Sequence, residues 1–210
     1  MDSRGYTWFA LNNTTIDYVE LSRHLATSIK KYNKHNQICI ITDKAVEYEN
    51  FDKVVILKED YSKEQEWKMN NEWQVFNLTP FKHTIKLEAD MLFTSNTDWW
   101  WNYLHQHNMV FSYHVRCYRD TIIEHTPYRK LFVTNNLPDV YNGLTYFRKS
   151  RQAQTFYNLC KDIRWDNDYK SEQETRVSYI GYEADSNYIC KCYNKNKDKW
   201  EYEIGGVVNE

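Results

Sequence analysis

Glu88 and Asp90 are the residues whose type and spacing point most directly to chemistry. They stand in Leu87-Glu88-Ala89-Asp90-Met91, directly after the apolar run His83-Thr84-Ile85-Lys86-Leu87. That run reads as a strand. In extended backbone, side chains two apart point to the same side, so both carboxylates are expected to converge at the strand's C-terminal edge. Open α/β sheets bind ligands at that edge. Hard oxygen ligands suit Mg²⁺ or Mn²⁺, ions that bridge one or two carboxylates to substrate phosphates. Glu88 and Asp90 are therefore the expected metal ligands, and a diphosphate is the expected partner. Lys82, His83 and Lys86 flank the pair. Alternation puts Lys86 on the side of Glu88, so it is the residue expected to face the diphosphate, with a salt bridge as the competing explanation.

The elements that must position this pair alternate between strand and helix. Residues 6–11 read as a first buried strand, and Asn12-Asn13-Thr14-Thr15 breaks it and offers helix caps. Tyr18, Leu21, Leu25, Ile29 and Tyr32 then recur at helical spacing. Short strands follow at 38–41 and 54–57, with Asp43 as a strand-end turn acid. A helix is predicted from about Ser62 to Asn77, stopped by Pro80. After the acidic strand, Asn96-Thr97-Asp98 can cap a helix through Trp99–Leu104. Its three successive tryptophans read as core packing, with at least one indole near the surface. Strands at 109–113 and 141–147, a helix from Ser150 to about Ile163 and a last helix near Tyr182 to Tyr193 complete the layout. Periodicity fades between Arg116 and Asp139, as in a functional excursion. The order predicts an α/β, Rossmann-like class with a mostly parallel sheet covered on both faces. Neither a Gly-x-Gly-x-x-Gly nor a Walker lysine motif occurs, so a metal on the acidic pair is the available phosphate binder.

The totals agree with one domain of 210 residues. Charged residues make up 27% and mean hydropathy is -0.83. No apolar run approaches a membrane span, and the first residues do not resemble a signal peptide. Five cysteines, Cys39, Cys117, Cys160, Cys190 and Cys192, are odd in number and lack paired zinc spacing. They read as reduced thiols, and a cytoplasmic protein is expected. Asn, Lys, Tyr and Ile recur while Gly and Pro are scarce, a bias that AT-rich coding, as in many bacteriophages, would produce. A net charge of -2 gives no global attraction to nucleic acid.

The segment Thr84-Ile85-Lys86-Leu87-Glu88-Ala89-Asp90-Met91-Leu92 resembles that of GT-A fold glycosyltransferases, where an Asp-x-Asp ends a mid-chain strand. Leu78-Thr79-Pro80-Phe81-Lys82 is similar to the turn common upstream of it. Val140-Tyr141-Asn142-Gly143-Leu144-Thr145-Tyr146-Phe147 resembles the later Asn-x-Gly strand of the sugar pocket, without the family's intervening residue. The resemblance implies a single GT-A-like domain, with a nucleotide-binding part over about 1–95 and an acceptor-side part over about 96–210. It implies a metal-dependent transferase, using Mn²⁺ or Mg²⁺, that moves a sugar from a nucleotide-diphosphate donor such as a UDP-sugar. Ala10, Leu11 and Asn12 fall where the family's first strand meets the base, and Asn142 and Gly143 fall at the sugar. Asp185 falls where relatives place an acid near the acceptor, with Glu183 and Asp139 as rivals for the base. No histidine follows His125, so the third metal ligand is water and phosphate, or an acid such as Asp185, or the enzyme is minimal.

The acceptor is expected to be a hydroxyl, of a saccharide or of a hydroxymethylated base in phage DNA acting in the host cytoplasm. Arg116, Arg119, Arg129, Lys130, Arg148, Lys149 and Arg151, interleaved with Tyr113, His114, Tyr118 and Tyr128, can form the basic, stacking surface a flipped nucleotide needs. Solvated or acid-paired arginines explain the same residues. Two other functions compete. A sugar nucleotidyltransferase shares the architecture but needs a Gly-rich loop after the first strand, which Asn12-Asn13-Thr14-Thr15 lacks. A non-catalytic carbohydrate- or DNA-binding module of this fold would not depend on Glu88 and Asp90.

Overall fold

The computed structural model describes residues 3–62, 68–113, 140–165, 179–182, 187–194 and 199–206. Strand β1 (Arg4–Phe9) leads to helix α1 (Tyr18–Tyr32), then to β2 (Gln37–Thr42) and β3 (Lys53–Ile56). A 3-10 segment, Lys68–Gln74, runs into α2 (Val75–Leu78), followed by β4 (His83–Lys86), α3 (Trp100–Leu104) and β5 (Met109–Tyr113). After β6 (Val140–Arg148) and α4 (Arg151–Trp165) come β7 (Tyr179–Tyr182), β8 (Asn187–Asn194) and β9 (Lys199–Gly206).

The architecture is α/β. Strands order as β3-β2-β1-β4-β6-β5 in a six-stranded sheet. Pairings among β1 to β4 are parallel, whereas β6 runs antiparallel to β4. The sheet is therefore mixed, parallel on one side of β4 and reversed on the other, a correction to the mostly parallel expectation. Helices cover both faces, as the strand periodicity requires. Tyr6, Trp8, Ile38, Ile40 and Ile85 pack with Leu25 and Ile29 of α1 and Trp101 of α3. The alternate positions Ile41 and Phe147 pack with Val75 and Phe76 of α2 and Tyr157 of α4.

Local chemistry explains several boundaries. Helix α1 begins where the Asp17 side chain accepts from the Glu20 N–H, two residues beyond the expected caps. Its buried stripe is Val19, Ser22, Leu25, Ala26 and Ile29, so Ser22 lies inward, where its hydroxyl accepts from the Trp8 indole N–H at 2.8 Å. The predicted helix from Ser62 to Asn77 is a 3-10 segment and one α turn over its described part, because side chains compete with the helical ladder. Asn71 donates to Asp60 at 2.7 Å and accepts from the Tyr61 N–H at 2.9 Å. Helix α3 has Trp99 at its N-cap position and no side-chain cap; Asn96 and Asp98 hydrogen-bond each other instead. Ser150 does meet α4, accepting from the Ala153 N–H.

The chain divides into two compact units, Met1–Phe111 with Asn142–Tyr157, and Ser112–Tyr141 with Asn158–Glu210. Within the second, β7, β8 and β9 form an antiparallel sheet with Ile189 paired to Ile204. This overturns the last helix predicted near Tyr182 to Tyr193. Tyr188-Ile189-Cys190-Lys191-Cys192-Tyr193 is rich in strand formers, and two partner strands outweigh the helical spacing read there. Among the described residues no helix is long and apolar enough to cross a membrane.

Two expected results arise from the core. A Cβ on Gly5 would lie 2.5 Å from Phe81 Cε2 and 2.7 Å from the Gln37 carbonyl oxygen, and Phe81 is fully buried. Gly5→Ala should therefore cost about 2 kcal/mol or more in chemical unfolding; an unchanged midpoint would contradict the packing. Burial pushes the Cys39 thiol up to about 12, leaving almost no thiolate at neutral pH. Alkylation of the native protein at pH 8 should spare Cys39, and mass mapping that finds it modified as fast as in denaturant would refute this.

Candidate functional site

An open cleft of about 160 Å³ is lined by Phe9, Leu11, Tyr18, Lys68, Met69, Glu72, Leu87, Glu88, Ala89 and Asp90. Its position follows from topology. The chain leaves β1 toward β2 on one side, and β4 pairs with β1 on the other. The carboxyl ends of β1 and β4 thus flank the point where strand order changes direction, the crevice where open α/β sheets bind ligands.

Both acids reach this cleft, but not by strand alternation. β4 ends at Lys86, and Leu87 extends its ladder by donating to the Thr7 carbonyl at 3.0 Å. Ala89 and Asp90 then form a turn, closed by the Met91 N–H on the Glu88 carbonyl at 3.3 Å. Ala89 is buried beneath the turn, while Glu88 is half-buried and Asp90 exposed. The turn, rather than an extended backbone, brings both residues to one cavity.

Lys86 does not line the cleft. Its side chain is only 3% exposed and its ammonium meets Glu72 Oε2 at 2.7 Å. It also donates to the Asn142 carbonyl at 3.1 Å, and the Asn142 amide donates to the same Glu72 oxygen. The ion pair read as the competing explanation is thus present. Asn142 meets the cleft residue Glu72 but is not itself in the lining, and Gly143 is buried beside it in β6. Lys68, Met69 and Glu72 escaped the sequence reading, since nothing local marks them. Their wall is held by side chains: Gln74 donates to the Glu59 carbonyl and Lys68 pairs with Asp60 at 3.4 Å. Burial works against the Asp60 carboxylate, yet the Asn71 amide, the Ser62 N–H and Lys68 outweigh it and lower its pKa.

The remaining expected residues disperse. Leu11 lines the cleft, whereas Ala10 is buried and ties β1 to the Ile41 carbonyl at 2.7 Å. Asn12 turns toward α1, donating to Asp17 and accepting from the Val19 N–H. His83 is buried against Tyr146, with 2.8 Å between Nδ1 and the hydroxyl, and is absent from the cleft lining. Asp43 is an exposed strand-end acid. Arg148 donates to Asn108, and Lys149, whose pKa desolvation lowers, donates to the Thr79 carbonyl at 2.8 Å. Asp185, Glu183, Asp139, Arg116, Arg119, Arg129, Lys130, His114, Tyr118 and Tyr128 lie outside the described residues.

The donor set suits a hard divalent ion. Glu88 and Asp90 both line one cavity, and their carboxylates would leave further positions to water and phosphate oxygens. Among the described residues no group of three or more His, Cys, Asp or Glu side chains could hold a metal ion. Compared with known proteins, the chain matches no family model and no curated sequence.

Proposed function

We propose that the chain is a metal-dependent glycosyltransferase of GT-A type, whose cleft holds the diphosphate of a nucleotide-sugar donor, with UDP-sugars the first choice. One observation carries the reading: Glu88 and Asp90 line a single cleft at the carboxyl ends of β1 and β4. When bound there, Mn²⁺ or Mg²⁺ would supply charge neutralisation for a departing diphosphate. Asp90, exposed in the turn, is the stronger direct ligand, and Glu88 orients the donor beside it. Lys68, paired with Asp60, stands in the same wall. Phe9, Leu11 and Tyr18 form an apolar side suited to the rest of the donor. The acceptor is a hydroxyl, of a saccharide or a hydroxymethylated DNA base, and Asp185 is assigned to take its proton.

Calorimetry with UDP tests this directly. Binding should appear with Mn²⁺ and vanish in chelator, and a panel of UDP-sugars should then show metal-stimulated donor hydrolysis. Equal UDP affinity with and without the ion, or none in either, would reject the reading.

A further inference from the structure

The tryptophan run divides by depth. Trp101 is fully buried, whereas Trp99 is 64% and Tyr103 56% exposed. Four residues apart, they share the outer side of α3, and the Tyr103 and His107 rings lie 5.0 Å apart. Trp99 meets the edge of Trp100 at 6.2 Å and 88°, so the exposed indole is braced by its neighbour. Beside these rings stand the exposed amides of Asn102 and Gln106. From Trp99 to Met109 the sequence has no Asp, Glu, Lys or Arg, in a chain that is 27% charged. Asp98 is turned aside, accepting from Asn36 at 2.6 Å and Asn96 at 3.0 Å.

This combination selects a ligand class. A nucleic acid or other polyanion needs cations to meet its phosphates, and the stretch carries none. A neutral sugar ring has an apolar C–H face and a rim of hydroxyls. Planar aromatic faces match the first, and amide donors and acceptors match the second. We infer that the Trp99–Tyr103 face of α3 is a surface site for a neutral oligosaccharide. Thr97 and Asp98 bond to Asn33 and Asn36, just before β2 begins. The face therefore lies at the amino ends of the parallel strands, the opposite edge from the acidic cleft. It is a second site, independent of what the cleft binds.

The test is an NMR titration of the full ¹⁵N-labelled chain with neutral glucose, galactose and N-acetylglucosamine oligosaccharides. Saturable shifts are expected at the Trp99 indole N–H and not at that of Trp101. Affinity should fall at least about tenfold in Trp99→Ala and be largely kept in Trp99→Tyr. Because Trp99 is exposed, Trp99→Ala should unfold at the wild-type temperature. Absence of any saturable shift at about 10 mM ligand, or wild-type affinity in both Trp99→Ala and Tyr103→Ala, would overturn the site. Self-association of the wild type that Trp99→Ala removes would overturn it too, by showing a second copy on this face.

Discussion

Asp90→Asn is expected to abolish metal-stimulated donor cleavage, lowering the rate at least about a hundredfold, with no loss of folding stability. The substitution keeps the side chain's shape and removes the charge that a hard cation needs. Stability should hold because Asp90 is an exposed turn residue, and surface substitutions of this kind stay within about 0.5 kcal/mol. Glu88→Gln should act in the same direction with a smaller loss, since Glu88 sits deeper and Asp90 is the better-placed ligand. The decisive comparison is Mn²⁺ titration of wild type and Asp90→Asn at saturating UDP-sugar. If Asp90→Asn retains full rate, or if wild type is equally active in chelator, the acidic turn has no metal role.

Glu72→Ala should be among the most destabilising single changes in the first unit. Lys86 lies in β4 with its side chain 3% exposed, while Glu72 is 22% exposed. Removing the acid leaves a buried ammonium without its counter-ion, at a cost of about 3 kcal/mol, or roughly 6–12 °C in Tm for a chain of this size. Replacing both partners removes the stranded charge, so Glu72→Ala with Lys86→Met should recover much of the loss. Denaturant unfolding of both single variants and the double variant measures the coupling. A double variant as unstable as the sum of the two singles would mean that the pair contributes nothing. Because Glu72 also lines the cleft and accepts from Asn142, Glu72→Ala should weaken nucleotide binding as well.

Much of the first unit was legible because its signals are local. Apolar runs at 6–11, 38–41, 54–57 and 83–87 lie within two residues of β1 to β4, since strands advertise themselves by apolar, β-branched content. The spacing of Leu25 and Ile29 marked α1, although the inward Ser22 was hidden by its polarity. The segment at 188–193 misled because short apolar runs carry helix and strand readings together, and only the pairing of β8 with β7 and β9 decides between them. Lys86 shows the same division. Strand alternation put its side chain on the side of Glu88, yet Lys86 is absent from the cleft lining, and the ion pair that consumes its charge comes from a residue 14 positions earlier.

The sequence by itself determined where the strands of the first unit fall and that the acidic pair follows one of them. These depend on residue type and short-range periodicity, which any fold of the chain must respect. Tertiary structure alone decided the reversal of β6, the wall built by Lys68 and Glu72, the meeting of Glu72, Lys86 and Asn142, and the exposure of Trp99 over Trp101. Those outcomes depend on which distant segments pack together, and contact between remote side chains leaves no periodic trace in the chain.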